Sequence, residues 1–242
     1  MKLVFFNLRE DEKSALESWR NAHPEVEIDV YTEELSSANK HLLEGKQGVV
    51  LAQNKPFESD VYEYAHEQGI KVFATRSAGF DIYDLELMNK YGIKMTNVPS
   101  YSPNAIAEHV LTTALRISRN TNKIQRNLER HNFSWNPGIL SRELRTLTVG
   151  VIGTGRIGTQ AARLFNGLGS KVLGYDVYQN EAAKEVLTYV ENLDDLIANS
   201  DVITIHMPAI KEYNHMVNDE FIAKMKDNSI LLNAARGMLV DT

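Results

Sequence analysis

The segment Gly153–Gly158, with the sequence GTGRIG, constrains the fold of this chain more than any other feature. In such a pattern the first glycine allows a tight turn, the second lets the backbone approach a pyrophosphate, and the third lets a helix pack closely on a strand. The pattern follows the strand-like run 147–152 and opens the helix-like segment 156–168. The free N–H groups of a helix start attract anions, which predicts a diphosphate site; a glycine-rich turn without a ligand is the alternative. The site residues would be Gly153, Gly155, Arg156, Ile157 and Gly158.

Asp176 lies 18 residues beyond Gly158, at the end of the next strand-like run, 171–176. A carboxylate at that point accepts hydrogen bonds from the ribose hydroxyls of adenosine and repels a 2′-phosphate. The three residues that follow it, 177–179, carry no positive charge that would attract the phosphate. The position therefore predicts NAD rather than NADP as cofactor, with an ordinary surface aspartate as the alternative.

Short apolar runs alternate with polar, helix-compatible segments, which indicates parallel β/α units. In the first hundred residues the runs are Leu3–Phe6, Val26–Val30, Gly48–Leu51, Ile70–Ala74 and Ile93–Thr96. Runs of this length suit strands that helices cover on both faces. Gly69 and Gly92 stand where a helix would hand over to a strand, so both positions predict αβ turns.

A domain boundary is predicted near residue 100, which divides the chain into 1–100 and 101–242. Ser102 can cap a helix and Pro103 can occupy its first turn. From Ala105 to about Arg130 the pattern predicts one long helix that connects the two domains.

The second domain restarts the strand pattern. Its four predicted strands are Leu147–Ile152, Lys171–Asp176, Asp201–His206 and Ser229–Ala234. A doubly wound dinucleotide domain usually has six strands, and each βαβ step takes about 30 residues. We therefore expect that at least about 50 residues are missing at the C-terminal end.

Composition narrows the classes of partner. Hydrophobic residues make up 43% and charged residues 24% of the 242 residues, which excludes a disordered or fibrous chain. The net charge of −6 argues against an extended nucleic-acid or membrane surface, so a small molecule is the expected partner. The chain has no cysteine, which excludes thiolate metal sites and fits a cytoplasmic location. The sequence has no HExxH or similar spacing of metal ligands, so it does not predict a metal site.

Three motifs together resemble the D-isomer-specific 2-hydroxyacid dehydrogenases, closest to the D-lactate dehydrogenase branch, over essentially the whole chain. They are Gly153–Gly158 with Asp176, Tyr101–His109 (YSPNAIAEH) and Asn233–Gly237 (NAARG). The resemblance implies an α/β fold of two lobes with the active site in the cleft between them. Residues 1–100 would form a flavodoxin-like substrate lobe, and residues 101–242 a Rossmann-like, doubly wound NAD-binding lobe without its last strands. It also implies a homodimer built through the nucleotide lobe.

The resemblance assigns Arg236 as the substrate arginine. This residue follows the strand-like run 230–234, and a guanidinium can clamp a carboxylate with two hydrogen bonds and polarise the neighbouring keto oxygen. An arginine that merely pairs with a surface acid is the alternative. Ala78 and Gly79 match the positions whose amides hold the substrate carboxylate. Tyr101 matches a residue that lines the cleft, although an exposed hinge tyrosine would explain it nearly as well.

Histidine is the usual proton donor in carbonyl reduction near neutral pH. The resemblance places that histidine and its carboxylate partner beyond position 242, so we expect the polypeptide 1–242 to lack family-like turnover. His109 falls on the connector helix and is interpreted as structural. The positions that resemble the rest of the cofactor pocket are His206, Met207, Pro208, Ala234 and Ala235.

The predicted activity is the reduction of a 2-keto acid such as pyruvate to the D-2-hydroxy acid with NADH. Ala52 stands where lactate-using members often carry an aromatic side chain, so a longer or branched 2-keto acid is a further candidate. A non-catalytic, NAD-binding regulatory protein is a second hypothesis. A fragment without activity, with an exposed strand edge that invites association, is a third.

Overall fold

Parallel β/α units build both halves of the chain. The computed structural model describes residues 1–242, and the chain divides into one unit from Met1 to Tyr101 and a second from Ser102 to Thr242. Each unit contains one five-stranded sheet whose strands are all parallel. The predicted α/β class is therefore confirmed.

The first unit is a sheet with three α-helices. Its strands are β1 (Lys2–Phe5), β2 (Glu27–Val30), β3 (Gly48–Leu51), β4 (Val72–Thr75) and β5 (Lys94–Thr96). Its helices are α1 (Lys13–Ala22), α2 (Ser59–Glu67) and α3 (Leu85–Tyr91). The strand order β2-β1-β3-β4-β5 is the flavodoxin-like order. The five apolar runs predicted all five strands to within two residues at each end.

Two glycines end helices in the first unit in the way that the sequence predicts. Gly69 has a φ of +75° and Gly92 a φ of +67°, a region that residues with a side chain seldom adopt. Each lies just after a helix and just before the buried isoleucine that leads into the next strand, Ile70 or Ile93. These glycines direct the chain from the helix layer back into the sheet.

The second unit is also a parallel sheet, with helices α4 to α8. Its strands are β6 (Thr148–Ile152), β7 (Lys171–Tyr175), β8 (Thr188–Tyr189), β9 (Val202–Ile205) and β10 (Ile230–Asn233). Its helices are α4 (Pro103–Ser118), α5 (Thr121–Glu129), α6 (Arg156–Gly167), α7 (Leu193–Asn199) and α8 (Asp219–Ala223). The order β10-β9-β6-β7-β8 is that of the first five strands of a Rossmann fold. The prediction of four strands was wrong, because β8 has only two residues and no apolar run marks it.

The predicted single helix from Ala105 to Arg130 was also wrong. Ser102 does cap the first helix, since its hydroxyl accepts a hydrogen bond from Ala105 N at 3.3 Å. The helix ends at Ser118, however, because Asn120 adopts a left-handed conformation with a φ of +51°. The chain then restarts as α5.

The core of the second unit surrounds its central strand. Four of the five residues of β6 are fully or almost fully buried. At Gly150 of this strand, a Cβ atom would lie 2.4 Å from both the Leu196 side chain and Ser200 Oγ of the α7 region. The absence of a side chain thus lets α7 lie directly on the sheet. None of the helices combines the length and apolar character that a membrane span requires.

Candidate functional site

The sequence order of the second sheet reverses between β6 and β9, which are neighbours. Ligands of open α/β sheets bind outside the carboxyl ends of the strands at such a reversal. The turns that follow the two strands meet there, since His206 N donates to Ile152 O at 2.7 Å and Gly153 N donates to Tyr175 O at 2.9 Å. The structure thus brings the glycine loop beside the ends of β7 and β9.

A side chain at each of the three glycines of the loop would meet different surroundings. Gly153 has a φ of +88°, and a Cβ atom on it would lie 2.8 Å from the carbonyl group of His206. A Cβ atom on Gly158 would lie 1.9 Å from Gly153 O, so the start of α6 packs directly on the loop. At Gly155, by contrast, a Cβ atom would meet nothing within 4 Å. The backbone at Gly155 therefore faces open space that a ligand group can occupy.

The start of α6 supplies the donors for that space. Gly155 is the N-cap of this 12-residue helix and has no side chain to cap the first N–H groups. The intrahelical bonding begins with Thr159 N, which donates to Gly155 O at 2.9 Å. Arg156 is exposed and Ile157 is partly buried at the helix start. A helix N-terminus without a side-chain cap and with an open approach at Gly155 fits the two phosphates of a dinucleotide.

Asp176 lies directly after β7, and hydrogen bonds hold its carboxylate. Oδ2 accepts from Thr154 N at 2.6 Å and from Thr154 Oγ1 at 3.1 Å. Oδ1 accepts from Tyr178 N at 3.1 Å. These bonds tie the carboxylate to the glycine loop while leaving further lone pairs on both oxygens for a ligand.

A hydrogen-bonded cluster behind Asp176 was not predicted from the sequence. Thr154 Oγ1 lies 2.6 Å from the Tyr189 hydroxyl, which accepts from Asn180 N at 2.8 Å. The Asn180 side chain donates to Thr154 O and to Thr159 Oγ1, both at 3.2 Å. The only available signal was a tyrosine on a strand of two residues, too short for a pattern to show.

His206 follows β9 with a neutral ring. Its Nε2 lies 3.0 Å from Thr204 Oγ1, and its buried Nδ1 has no hydrogen-bond partner. Burial lowers the pKa of His206 to about 4, because desolvation disfavours the charged imidazolium. The next residue, Met207, is partly buried against the core, and Pro208 is exposed.

The loop after β10 carries the arginine that the sequence singled out. The Asn233 side chain holds this loop, because its Oδ1 accepts from Ala235 N at 3.0 Å and its Nδ2 donates to Arg236 O at 2.7 Å. Ala234 and Ala235 are partly buried, whereas Arg236 is exposed at the carboxyl edge of the sheet. The guanidinium therefore stands on a loop of defined shape.

The remaining predicted residues lie in the first unit. In the loop after β4, Ser77 Oγ donates to Gly79 O at 2.7 Å, and Asn97 Nδ2 donates to Ala78 O at 2.8 Å. These bonds use the carbonyl groups of the loop and leave the N–H groups of Ala78 and Gly79 for an anion. Tyr101 is 69% exposed.

Arg76 anchors that loop, a feature that the sequence did not reveal. Its guanidinium donates to both carboxylate oxygens of Glu12, at 3.0 and 2.9 Å, and to the backbone carbonyls of Phe6 and Asn7. Burial raises the pKa of Glu12, but hydrogen bonds from Arg76 and from the Arg9 backbone outweigh it and lower the pKa below its usual value. Asn7 also donates to Ala52 O at 2.6 Å. The hydrogen bonds of Arg76 and of Asn7 thus connect the loops that carry Ala78 and Ala52.

Known proteins are similar to this chain in sequence. The family model of the D-isomer specific 2-hydroxyacid dehydrogenase, NAD binding domain, matches residues 111–242. A D-lactate dehydrogenase of Treponema pallidum is 49% identical over 242 residues, which are 100% of this chain and 73% of the relative.

Two solved structures show the same likeness in three dimensions. D-lactate dehydrogenase from Aquifex aeolicus, complexed with NAD and lactic acid, matches with a TM-score of 0.89 and 35% identity, over 99% of this chain and 70% of that one. D-2-hydroxyisocaproate dehydrogenase matches with a TM-score of 0.87 and 36% identity, over 100% of this chain and 72% of that one.

Proposed function

Because the chain belongs to the D-isomer-specific 2-hydroxyacid dehydrogenases, we propose that it serves the interconversion of a small 2-keto acid and its D-2-hydroxy acid. Members of this family are NAD-dependent oxidoreductases that act on the CH–OH group of hydroxy acids. The observation that carries the proposal is the glycine loop beside Asp176. The loop has an open backbone approach at Gly155, and the carboxylate is tied to Thr154.

The cofactor would be held by groups at one edge of the second sheet. The amides at the start of α6, with Gly153, Gly155 and Gly158, would bind the diphosphate, and Arg156 and Ile157 would flank it. Asp176 would accept from the ribose hydroxyls. NAD, when bound, supplies the hydride acceptor or donor at its nicotinamide ring. The remainder of the pocket would be formed by His206, Met207, Pro208, Ala234 and Ala235.

The carboxylate of the substrate is proposed to be held by an arginine and by backbone amides. The exposed Arg236 guanidinium can form two parallel hydrogen bonds to a carboxylate, and its charge can also polarise the neighbouring keto oxygen. The N–H groups of Ala78 and Gly79 would supply further donors. Tyr101 would be a further contact of the substrate.

The substrate class is proposed to be small 2-keto acids, with pyruvate and branched acids as candidates. Ala52 follows the buried residue Leu51, and its small side chain leaves room that an aromatic residue would fill. One solved structure of similar fold is a D-2-hydroxyisocaproate dehydrogenase, which by its name uses a branched acid.

His206 is not proposed as the proton donor. Its pKa of about 4 leaves the ring uncharged at neutral pH, and burial of Nδ1 separates that atom from solvent. NADH oxidation followed at 340 nm, with pyruvate and with 2-ketoisocaproate, tests the proposed reaction.

A homodimer is proposed, in which a second copy of this chain covers the exposed apolar side chains of residues 128–140. Helix α5 has no buried residue, and the large side chains of Phe133 and Trp135 are 77% and 71% exposed, with Leu128 and Leu140 also exposed. Exposed apolar groups at this density mark an interaction surface. The molar mass in solution, measured by light scattering, tests the proposal.

The test of the cofactor site is the substitution Asp176→Ala. It removes a charged hydrogen-bond acceptor from the ribose and a repulsive charge from a 2′-phosphate. We expect the affinity for NADH to fall about 10- to 100-fold and the ratio of NADPH to NADH dissociation constants to shrink. Isothermal titration calorimetry of both cofactors measures this, after circular dichroism has shown that the variant is folded. Equal dissociation constants in the unmodified chain would contradict the role of Asp176.

A further inference from the structure

The Asp176 carboxylate takes its orientation mainly from Thr154. Two of its three hydrogen bonds come from this residue, from the backbone N–H at 2.6 Å and from the hydroxyl at 3.1 Å, and both reach Oδ2. A threonine hydroxyl has one proton, so donation to Asp176 leaves Thr154 Oγ1 able only to accept elsewhere. Thr154 is fully buried, and its hydroxyl must therefore find its second partner within the protein.

That second partner is Tyr189 on β8, whose hydroxyl lies 2.6 Å from Thr154 Oγ1. The Tyr189 oxygen already accepts from Asn180 N at 2.8 Å, and the Asn180 carbonyl oxygen is a more distant acceptor at 3.5 Å, so the tyrosine proton goes to Thr154. The hydrogen bonds therefore all point the same way. Asn180 N–H donates to the Tyr189 hydroxyl, the Tyr189 hydroxyl donates to Thr154 Oγ1, and the Thr154 hydroxyl donates to Asp176. Successive hydrogen bonds that point the same way strengthen one another.

Neighbouring groups hold this series of hydrogen bonds, the relay from Asn180 to Asp176, in place. The Tyr189 ring packs against the core cluster that contains Leu187. The Asn180 side chain closes the other side, where it donates to Thr154 O and Thr159 Oγ1. Thr154 is buried, and the side chains of Asp176, Asn180 and Tyr189 are partly buried.

We propose that Tyr189 is a positioning residue for cofactor selection. Through Thr154, its hydroxyl holds the Asp176 carboxylate in the orientation that receives the two ribose hydroxyls. The inference deepens the proposed function, because it rests on the contact between Asp176 and the ribose. Hydrogen bonds to ribose depend on orientation, whereas repulsion of a 2′-phosphate depends chiefly on charge. Loss of the tyrosine hydroxyl therefore weakens NADH binding more than NADPH binding.

The test is Tyr189→Phe, with the dissociation constants of NADH and NADPH measured by calorimetry. We expect the affinity for NADH to fall about 3- to 10-fold, as loss of one hydrogen bond of ordinary net strength predicts, and the affinity for NADPH to change less than twofold. The matched control is Tyr213→Phe, because this tyrosine packs on a core cluster of the same unit and takes no part in the hydrogen bonds that lead to Asp176. The control should bind both cofactors like the parent chain.

A double-mutant cycle separates positioning from a general structural role. In the background of Asp176→Ala, the change Tyr189→Phe should cost no further NADH affinity, since the group that it positions is gone. An equal loss in both backgrounds, or no loss in either, overturns the proposal. If Asp176→Ala itself leaves the NADPH to NADH ratio unchanged, the proposed role of Asp176 fails instead.

A second pair of variants keeps the test decisive if Tyr189→Phe proves unstable. Thr154→Ser retains the hydroxyl and should keep NADH affinity close to that of the parent chain. Thr154→Val replaces the hydroxyl with a methyl group of similar size and should lower NADH affinity as Tyr189→Phe does. Equal NADH affinities of the serine and valine variants would refute the relay.

Discussion

The neutral ring of His206 should make the stability of the second unit depend on pH. The pKa of this histidine is about 4 in the folded chain, whereas the unfolded chain keeps the ordinary histidine value of 6.5. Below pH 6.5 the unfolded chain therefore binds a proton that the folded chain does not bind. Stability from this group is complete above pH 6.5, decreases as the pH falls, and is fully lost near pH 4.

The magnitude follows from the two pKa values. A difference of one in pKa corresponds to about 1.4 kcal/mol, so the whole effect is about 3 kcal/mol. Relative to pH 7.5, the free energy of unfolding should be lower by about 1 kcal/mol at pH 5.5 and by about 2 to 3 kcal/mol at pH 4.5 from this residue alone. The cause is the cost of charging a ring whose Nδ1 is buried without a partner.

The assay compares the parent chain with His206→Gln by urea unfolding at pH 7.5, 5.5 and 4.5, without cofactor. Glutamine carries no charge in this range, so the difference between the two chains isolates the histidine from the carboxylates that titrate with it. The control His109→Gln removes an exposed histidine of α4. A parent-minus-variant difference that stays constant from pH 7.5 to 4.5 would refute the reasoning.

Two further predictions concern the glycine loop and Arg236, the proposed substrate arginine. Gly158→Ala should lower the free energy of unfolding by about 1 to 3 kcal/mol, because its Cβ atom would lie 1.9 Å from Gly153 O. At Gly155 a Cβ atom would meet nothing within 4 Å. Gly155→Ala should therefore unfold at the same urea concentration as the parent chain but bind NADH more weakly. Urea titration and calorimetry of both variants check this, and equal stabilities would contradict it. Arg236→Lys should weaken binding of oxamate, a pyruvate analogue, to the NADH complex by about 10- to 100-fold, because an ammonium cannot form the two parallel hydrogen bonds of a guanidinium. Unchanged oxamate affinity in calorimetry would show that another residue holds the carboxylate.

Local patterns predicted most of the fold. Apolar runs bounded by glycines such as Gly69 and Gly92 located the strands of the first unit, because a buried parallel strand needs continuous apolar sequence and a left-handed turn needs glycine. The helix break at Asn120 escaped prediction, since asparagine also occurs within helices and nothing nearby marks its positive φ. The two-residue strand β8 escaped because periodicity needs more residues than it has.

Local patterns likewise predicted one part of the candidate site and not the other. The glycine loop and Asp176 were predictable because their spacing follows from the geometry of one βαβ unit. The contacts of Asp176 with Thr154, and of Thr154 with Tyr189, join residues 22 and 35 positions apart. The partnership of Arg76 with Glu12 joins residues 64 positions apart. Such pairs depend on how the chain folds back on itself, and no local pattern in one sequence encodes them.

The position of β8 has a consequence for dynamics. This strand has two residues, pairs only with β7 and forms the edge of its sheet. Short edge elements open locally at a lower free energy than central strands, so their amides exchange with solvent deuterium sooner. Tyr189 belongs to this edge, while the glycine loop is attached to the central strand β6. In the proposed site, cofactor preference and phosphate binding are thus anchored in regions of different local stability. Mild heating should therefore weaken the preference for NAD before it releases the diphosphate.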